Sequence, residues 1–94
     1  MNIRVKYWGQ IKQAAGVADD DVDVDAPCTI RSVLDAVVAK RGDDVAKHLL
    51  DDSGSIRPSL LVVVDEEQIP PNSEKELEEG TTITLLPPIA GGSW

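Results

Sequence analysis

Asp65-Glu66-Glu67-Gln68-Ile69-Pro70-Pro71-Asn72-Ser73-Glu74-Lys75-Glu76-Leu77-Glu78-Glu79-Gly80 decides the fold by what it cannot be. Ahead of it runs Leu60-Leu61-Val62-Val63-Val64, a continuous apolar stretch that reads as a central strand. Behind it runs Thr81-Thr82-Ile83-Thr84-Leu85-Leu86, the last strand, stopped by Pro87-Pro88. A sandwich with two full helices needs one of them between these strands. Asp65 to Gln68 reads as a turn, and Pro70-Pro71-Asn72-Ser73 excludes regular structure. Glu74 to Glu79 has room for one helical turn, so a short strand or turn is all this segment can add.

Working outward, Ile3, Val5 and Tyr7 alternate with Arg4, Lys6 and Trp8, which is the period of a strand. Gln10 to Ala15, bracketed by Gly9 and Gly16, is expected to form a helical turn. Asp20-Asp21-Val22-Asp23-Val24-Asp25 alternates again and reads as an acidic strand at a sheet edge, where charge deters edge-to-edge pairing. Thr29, after Pro27, is placed as the N-cap of the main helix. Ile30, Val33, Leu34, Val37 and Val38 follow at helical spacing to about Lys40, and Gly42 is the stop. Asp43 to Leu50 reads as a second, weaker helical segment, and Asp51-Asp52-Ser53-Gly54-Ser55 as a loop. The order is β-β-α-β-(short strand or turn)-β. With the first and last strands adjacent and parallel, this is an α+β fold of the β-grasp, ubiquitin-like kind: a mixed sheet with one main helix across one face. The rival, a ferredoxin-like sandwich, lacks its second helix.

The 94 residues suffice for one domain and one core. Residues 1–86 are expected to form it, with 87–94 as an extended tail. Phe is absent, so Val, Leu and Ile must build the interior. Nine basic and seventeen acidic residues give a net charge of −8, which argues against nucleic acid or an anionic membrane as main partner. A basic protein surface remains compatible with it, as does ordinary solubility. No apolar run reaches the roughly 18 residues of a membrane span, and the N-terminus carries no apolar signal segment. The single Cys28 cannot form an internal disulfide, and together these features place the chain in the cytoplasm.

The parts of a self-sufficient enzyme are missing. His48, the sole histidine, sits in the weak helical segment and reads as a surface residue before a ligand. Cys28 lies just before a helix N-terminus, which can lower a thiol pKa, but a small structural residue is the plainer reading. The acidic runs Asp19–Asp21, Glu66–Glu67 and Glu78–Glu79 lack calcium-loop spacing and read as solvated surface, so no metal site is assigned. Neither GxxxxGK[ST] nor GxGxxG occurs.

The tail Pro87-Pro88-Ile89-Ala90-Gly91-Gly92-Ser93-Trp94 is different. Its glycines lie almost at the terminus, and it leaves a strand directly, so the sheet sets where it starts. Pro87 and Pro88 hold its base extended. Ile89 and Ala90 are small enough to line a partner's channel, and glycine can enter a site that any side chain would block. Alternation also turns Trp8 outward with Arg4 and Lys6, and Leu86 outward with Thr82 and Thr84. On neighbouring strands, Trp8 and Leu86 would share an exposed apolar patch near the tail, of the sort that marks interfaces. The plainer reading of Trp8 is a side chain that merely covers the sheet end.

At these residues the chain resembles the ubiquitin-like sulfur carriers, most closely the small subunit of molybdopterin synthase. The resemblance spans nearly the whole length: Ile3-Arg4-Val5-Lys6-Tyr7-Trp8-Gly9-Gln10 to Ala14-Ala15-Gly16, then Thr29-Ile30-Arg31-Ser32-Val33-Leu34, then Leu61-Val62-Val63-Val64-Asp65. Leu77-Glu78-Glu79-Gly80-Thr81-Thr82-Ile83 follows, and Leu86-Pro87-Pro88-Ile89-Ala90-Gly91-Gly92 is the most specific piece. The resemblance implies a carrier without catalysis of its own. An E1-like adenylating enzyme would bind the tail and use ATP with magnesium to adenylate the Gly92 carboxylate. A sulfur donor, usually a persulfide, would convert it to a thiocarboxylate. The molybdopterin synthase large subunit, or an equivalent acceptor enzyme, would then admit Pro87, Pro88, Ile89, Ala90 and Gly91 and receive the sulfur. The family's partner-binding face includes the positions of Trp8 and Leu86; Gln68 aligns with another but is polar here.

One departure is plain. Family members usually stop at the second glycine, and this sequence continues with Ser93-Trp94. An amide at Gly92 cannot be adenylated. Some bacterial carriers are similar in having a short extension that a JAMM-type zinc metallopeptidase removes, which implies cleavage between Gly92 and Ser93. A permanently capped interaction module, a protein modifier, and a carrier serving cysteine, thiamine or a secondary metabolite stay open as alternatives.

Overall fold

The computed structural model describes residues 1–87. The elements run β1 (Asn2–Tyr7), α1 (Gly9–Ala15), β2 (Asp19–Asp23), α2 (Ile30–Arg41), α3 (Asp43–Leu49), β3 (Leu61–Val64), β4 (Glu67–Ile69) and β5 (Thr82–Leu86). The strands form one mixed sheet in the order β2-β1-β5-β3-β4. β1 and β5 are parallel neighbours, with Val5 opposite Ile83 and Tyr7 opposite Leu85. The other pairings are antiparallel. This is the expected β-grasp arrangement, and the expected acidic strand β2 does lie at an edge.

One face of the sheet is closed by the helices. Ile3, Val5 and Tyr7 of β1, Val62 of β3, and Ile83 and Leu85 of β5 are buried. They meet Ile30, Val33, Leu34 and Val37, which recur on one side of α2 as a 3.6-residue period requires. α2 starts where expected because Thr29 and Ser32 cap each other. The Thr29 hydroxyl accepts from the Ser32 N–H at 3.3 Å, and the Ser32 hydroxyl accepts from the Thr29 N–H at 3.4 Å. It ends at Gly42, whose φ of 83° suits glycine.

Three expectations need correction. The expected turn Asp65–Gln68 is only Asp65-Glu66, since Glu67 and Gln68 already pair in β4, while the apolar run 60–64 does supply an interior strand, β3. Its alternation is also real: Leu60 and Val62 are buried, whereas Leu61 and Val63 are half-buried because no helix covers their face. Lastly, residues 74–79 form no helical turn. Leu77 enters the core in an irregular segment, and its N–H donates to the Cys28 carbonyl at 2.7 Å. A helix there would also align Glu74 with Glu78 as like charges one turn apart.

Candidate docking face and root of the C-terminal arm

The open face of the sheet can be read row by row from the strand register. Arg4 faces Asp21 on β2 and Thr82 on β5; Lys6 faces Asp19 and Thr84, with Val63 and Gln68 further along the same row. Leu61 faces Leu86, and Trp8 lies one step beyond the Tyr7–Leu85 pair on the β1 side. Charge therefore collects toward the β2 edge and apolar surface toward β5 and β3. Arg4 Nε donates to Asp21 at 2.8 Å and lies near Asp19 as well, all three about half exposed. Such pairs contribute about 0–1 kcal/mol each and leave the face free to exchange partners.

Trp8 is 57% exposed, and its backbone is fixed although its ring is not covered. Its N–H donates to the Leu85 carbonyl at 3.1 Å, and its carbonyl accepts from Lys12 N–H at 3.3 Å. Trp8 is thereby both the last residue tied to β5 and the N-cap of α1. A concave site of about 380 Å³ beside it is lined by Lys6, Tyr7, Trp8, Gly9, Lys12, Ala18 and Asp19. Leu86 is half-buried on the same open face, and Pro87 leaves the strand next to Gly9. Pro88, Ile89, Ala90, Gly91, Gly92 and Ser93 lie outside the described residues.

On the helix side of the sheet, at Tyr7, stands a charged cluster that the sequence barely signals. Asp20 is 7% exposed. Arg41 Nε donates to its Oδ2 at 2.6 Å while Nη2 bonds Oδ1, a two-pronged pairing. Tyr7 donates its hydroxyl at 2.8 Å, and Lys40 Nζ stands 3.3 Å away. The Arg41 bonds, joined by those from Tyr7 and Lys40, hold the Asp20 carboxyl far below the usual carboxylate range despite burial. Burial, with the Asp20 bond, pushes the Tyr7 phenol well above its ordinary value. The expectation of a solvated acidic run thus holds for Asp19 and Asp21 and fails for Asp20. Only the spacing Val22, Val24 hints at it, since Asp20 shares their inward parity.

The remaining candidates fall away from this face. Cys28 is buried, and burial raises its thiol pKa, so it is a packing residue. His48 is half-buried on α3, beside Gln10, Lys47, Arg57 and Ser59. Among the described residues no group of three or more His, Cys, Asp or Glu could hold a metal ion. Nor, among them, is any helix long and apolar enough to cross a membrane.

Known proteins match this geometry. The sequence pattern of the ThiS family fits residues 5–92, from β1 to the second glycine of the tail. The chain belongs to the ThiS family. A molybdopterin synthase sulfur carrier subunit of Chlamydomonas reinhardtii is 23% identical over 92 residues, covering 98% of this chain and all of that protein. The crystal structure of SAMP1 from Haloferax volcanii superposes with a TM-score of 0.86 at 24% identity, over 98% of this chain and 100% of the other. Mycobacterium tuberculosis CysO gives 0.67 at 18% identity, over 93% and 99%. At such identities the structural likeness carries the β-grasp fold. ThiS-family membership makes this chain a small ubiquitin-like protein of the sulfur-carrier and modifier kind.

Proposed function

We propose that this chain is a sulfur carrier whose working atom is the Gly92 carboxyl carbon, exposed for chemistry once Ser93-Trp94 is removed. The observation that carries the reading is where the family match ends. It runs to residue 92 and leaves Ser93 and Trp94 outside. In this reading a JAMM-type metallopeptidase cleaves after Gly92. An E1-like enzyme, supplying ATP and magnesium, then joins the Gly92 carboxylate to AMP with loss of pyrophosphate. A persulfide sulfur displaces AMP from the carbonyl, and thiol cleavage of the resulting S–S bond leaves the thiocarboxylate. The acceptor is the molybdopterin synthase large subunit, the assignment favoured by the Chlamydomonas relative.

The chain's own residues bind and aim. Trp8 and Leu86 supply an apolar anchor with Leu61 and Val63 beside them, and the polar Gln68 marks its rim. The closed helix face keeps this anchor rigid, so a partner pays little ordering entropy at the sheet. Pro87, Pro88, Ile89, Ala90 and Gly91 carry Gly92 into the partner. Gly91 and Gly92 leave a channel no wider than a bare backbone to be filled.

The test is a chain shortened after Gly92, incubated with an E1-like enzyme, ATP, magnesium and a sulfur donor. Intact mass is expected to rise by the replacement of one oxygen with sulfur, and the mass gain should disappear on transfer to a pterin precursor. Isopeptide bonds to lysines would instead assign a protein modifier. Neither product would leave an interaction module.

A further inference from the structure

The residue just after Trp8 has no assigned role, yet it touches the start of the arm. Gly9 has φ +57°, and a Cβ placed on it would lie 2.9 Å from Pro87 Cγ and 3.4 Å from Pro87 Cδ. Neither side of that contact yields easily. Pro87 is a closed ring with a fixed φ, and the preceding Leu86 is held in β5. Gly9 opens α1 directly after Trp8, whose N–H and carbonyl are both bonded. Gly16, at the other end of the same helix, has φ +77° and open space where its Cβ would be. The two positions share the backbone requirement for glycine and differ in the steric one.

We propose that Gly9 is a positioning residue for the C-terminal arm. Its bare Cα is the seat for Pro87, and that seat sets the direction in which the chain leaves the sheet beside Trp8. A side chain at position 9 displaces the Pro87 ring and re-aims everything after it, while the docking face itself stays intact. The kinetic consequence rests on the carrier reading above: binding through Trp8 and Leu86 is retained, and delivery of Gly92 into the adenylating site is lost.

Five chains ending at Gly92 test this: the unsubstituted one, Gly9→Ala, Pro87→Ala, the double variant, and Gly16→Ala. Each is assayed for ATP–pyrophosphate exchange by an E1-like enzyme. Gly9→Ala is expected to lower kcat by about tenfold or more with KM within about twofold, because misaimed reactants lose rate before affinity. The double variant, freed of the ring, is expected within about twofold of Pro87→Ala, and Gly16→Ala near the unsubstituted chain. Unchanged kcat in Gly9→Ala overturns the proposal, as does a double variant that falls below Pro87→Ala by the full Gly9→Ala factor. NMR of the full 94-residue chain separates this idea from the carrier reading. If the unsubstituted chain supports no exchange, the carrier reading fails and the seat is judged by NMR alone. A Gly9 Hα to Pro87 ring contact, with Pro87 resonances moved by Gly9→Ala and not by Gly16→Ala, sustains it. Unmoved Pro87 resonances in Gly9→Ala refute it.

Discussion

The two faces of the sheet are made by the same strands and live in different solvents. Along β1 and the residue after it, Val5 and Tyr7 are buried while Lys6 and Trp8 are exposed. On β5, Ile83 and Leu85 are buried while Thr84 and Leu86 are half-covered. The inner face spends its apolar groups on folding. The outer face keeps Trp8, Leu86, Leu61 and Val63 available, because the helices lie on the other side. The proposed carrier role would use this division: a body whose stability does not depend on the surface it offers to a partner.

The contrast can be broken most severely from the inside. Leu85→Ala, at a fully buried site, should cost about 3 kcal/mol by urea titration, the ordinary range for a large-to-small core change. Partner affinity per folded molecule should be unchanged; a loss of affinity at full folding would show that the faces are not independent. Asp20→Asn comes next. It removes the carboxylate shared by Arg41, Tyr7 and Lys40 and should lower stability at neutral pH by less than Leu85→Ala, because water can reach the Arg41 left behind. The sign of its pH dependence is fixed by linkage. The Asp20 pKa is lowered in the folded state, so its contribution is complete above about pH 4, the unfolded value, and falls away as pH drops toward the folded value. Between about pH 4 and pH 2 the unsubstituted protein should therefore lose stability more steeply than Asp20→Asn, by up to one proton's worth of slope. Parallel stability curves over that range would contradict the assignment.

From the outside, Trp8→Ala should change stability by less than about 0.5 kcal/mol. It should weaken binding to the activating enzyme by about 2 kcal/mol, measured calorimetrically, as for an exposed aromatic anchor. A large stability loss with unaltered binding would return Trp8 to the role of a cover for the sheet end. The smallest effect is expected for Arg4→Gln. Its two half-exposed ion pairs lie at the low end of the range for surface pairs, about 0.2 kcal/mol each, and the difference should vanish in high salt.

Gly9 and Gly16 repeat the lesson at single-residue scale. As letters they bracket one short helix and look equivalent. In space, only Gly9 faces Pro87. Much of the candidate docking face was legible in the same local way. Trp8 and Leu86 face outward because alternation demands it once Ile3, Val5, Ile83 and Leu85 face in. Leu61 and Val63 were not legible, since an unbroken apolar run hides the fact that one of its faces has no helix to meet.

Local chemistry, then, determined a great deal from the sequence alone. Period-2 alternation set the faces of β1 and β5, and the Thr29 cap and Gly42 stop set the length of α2. The prolines after Ile69 removed the rival fold, and the tail carried the resemblance to the ubiquitin-like sulfur carriers. These features depend on neighbours within a few residues. The tertiary structure alone decided that Asp20 is buried, because its partner Arg41 arrives from 21 residues away on another element. It decided that Leu77 lies in an irregular segment, because the Cys28 carbonyl is waiting for its N–H. It decided that Pro87 rests on Gly9, a contact between opposite ends of the chain that only the parallel pairing of β1 with β5 creates.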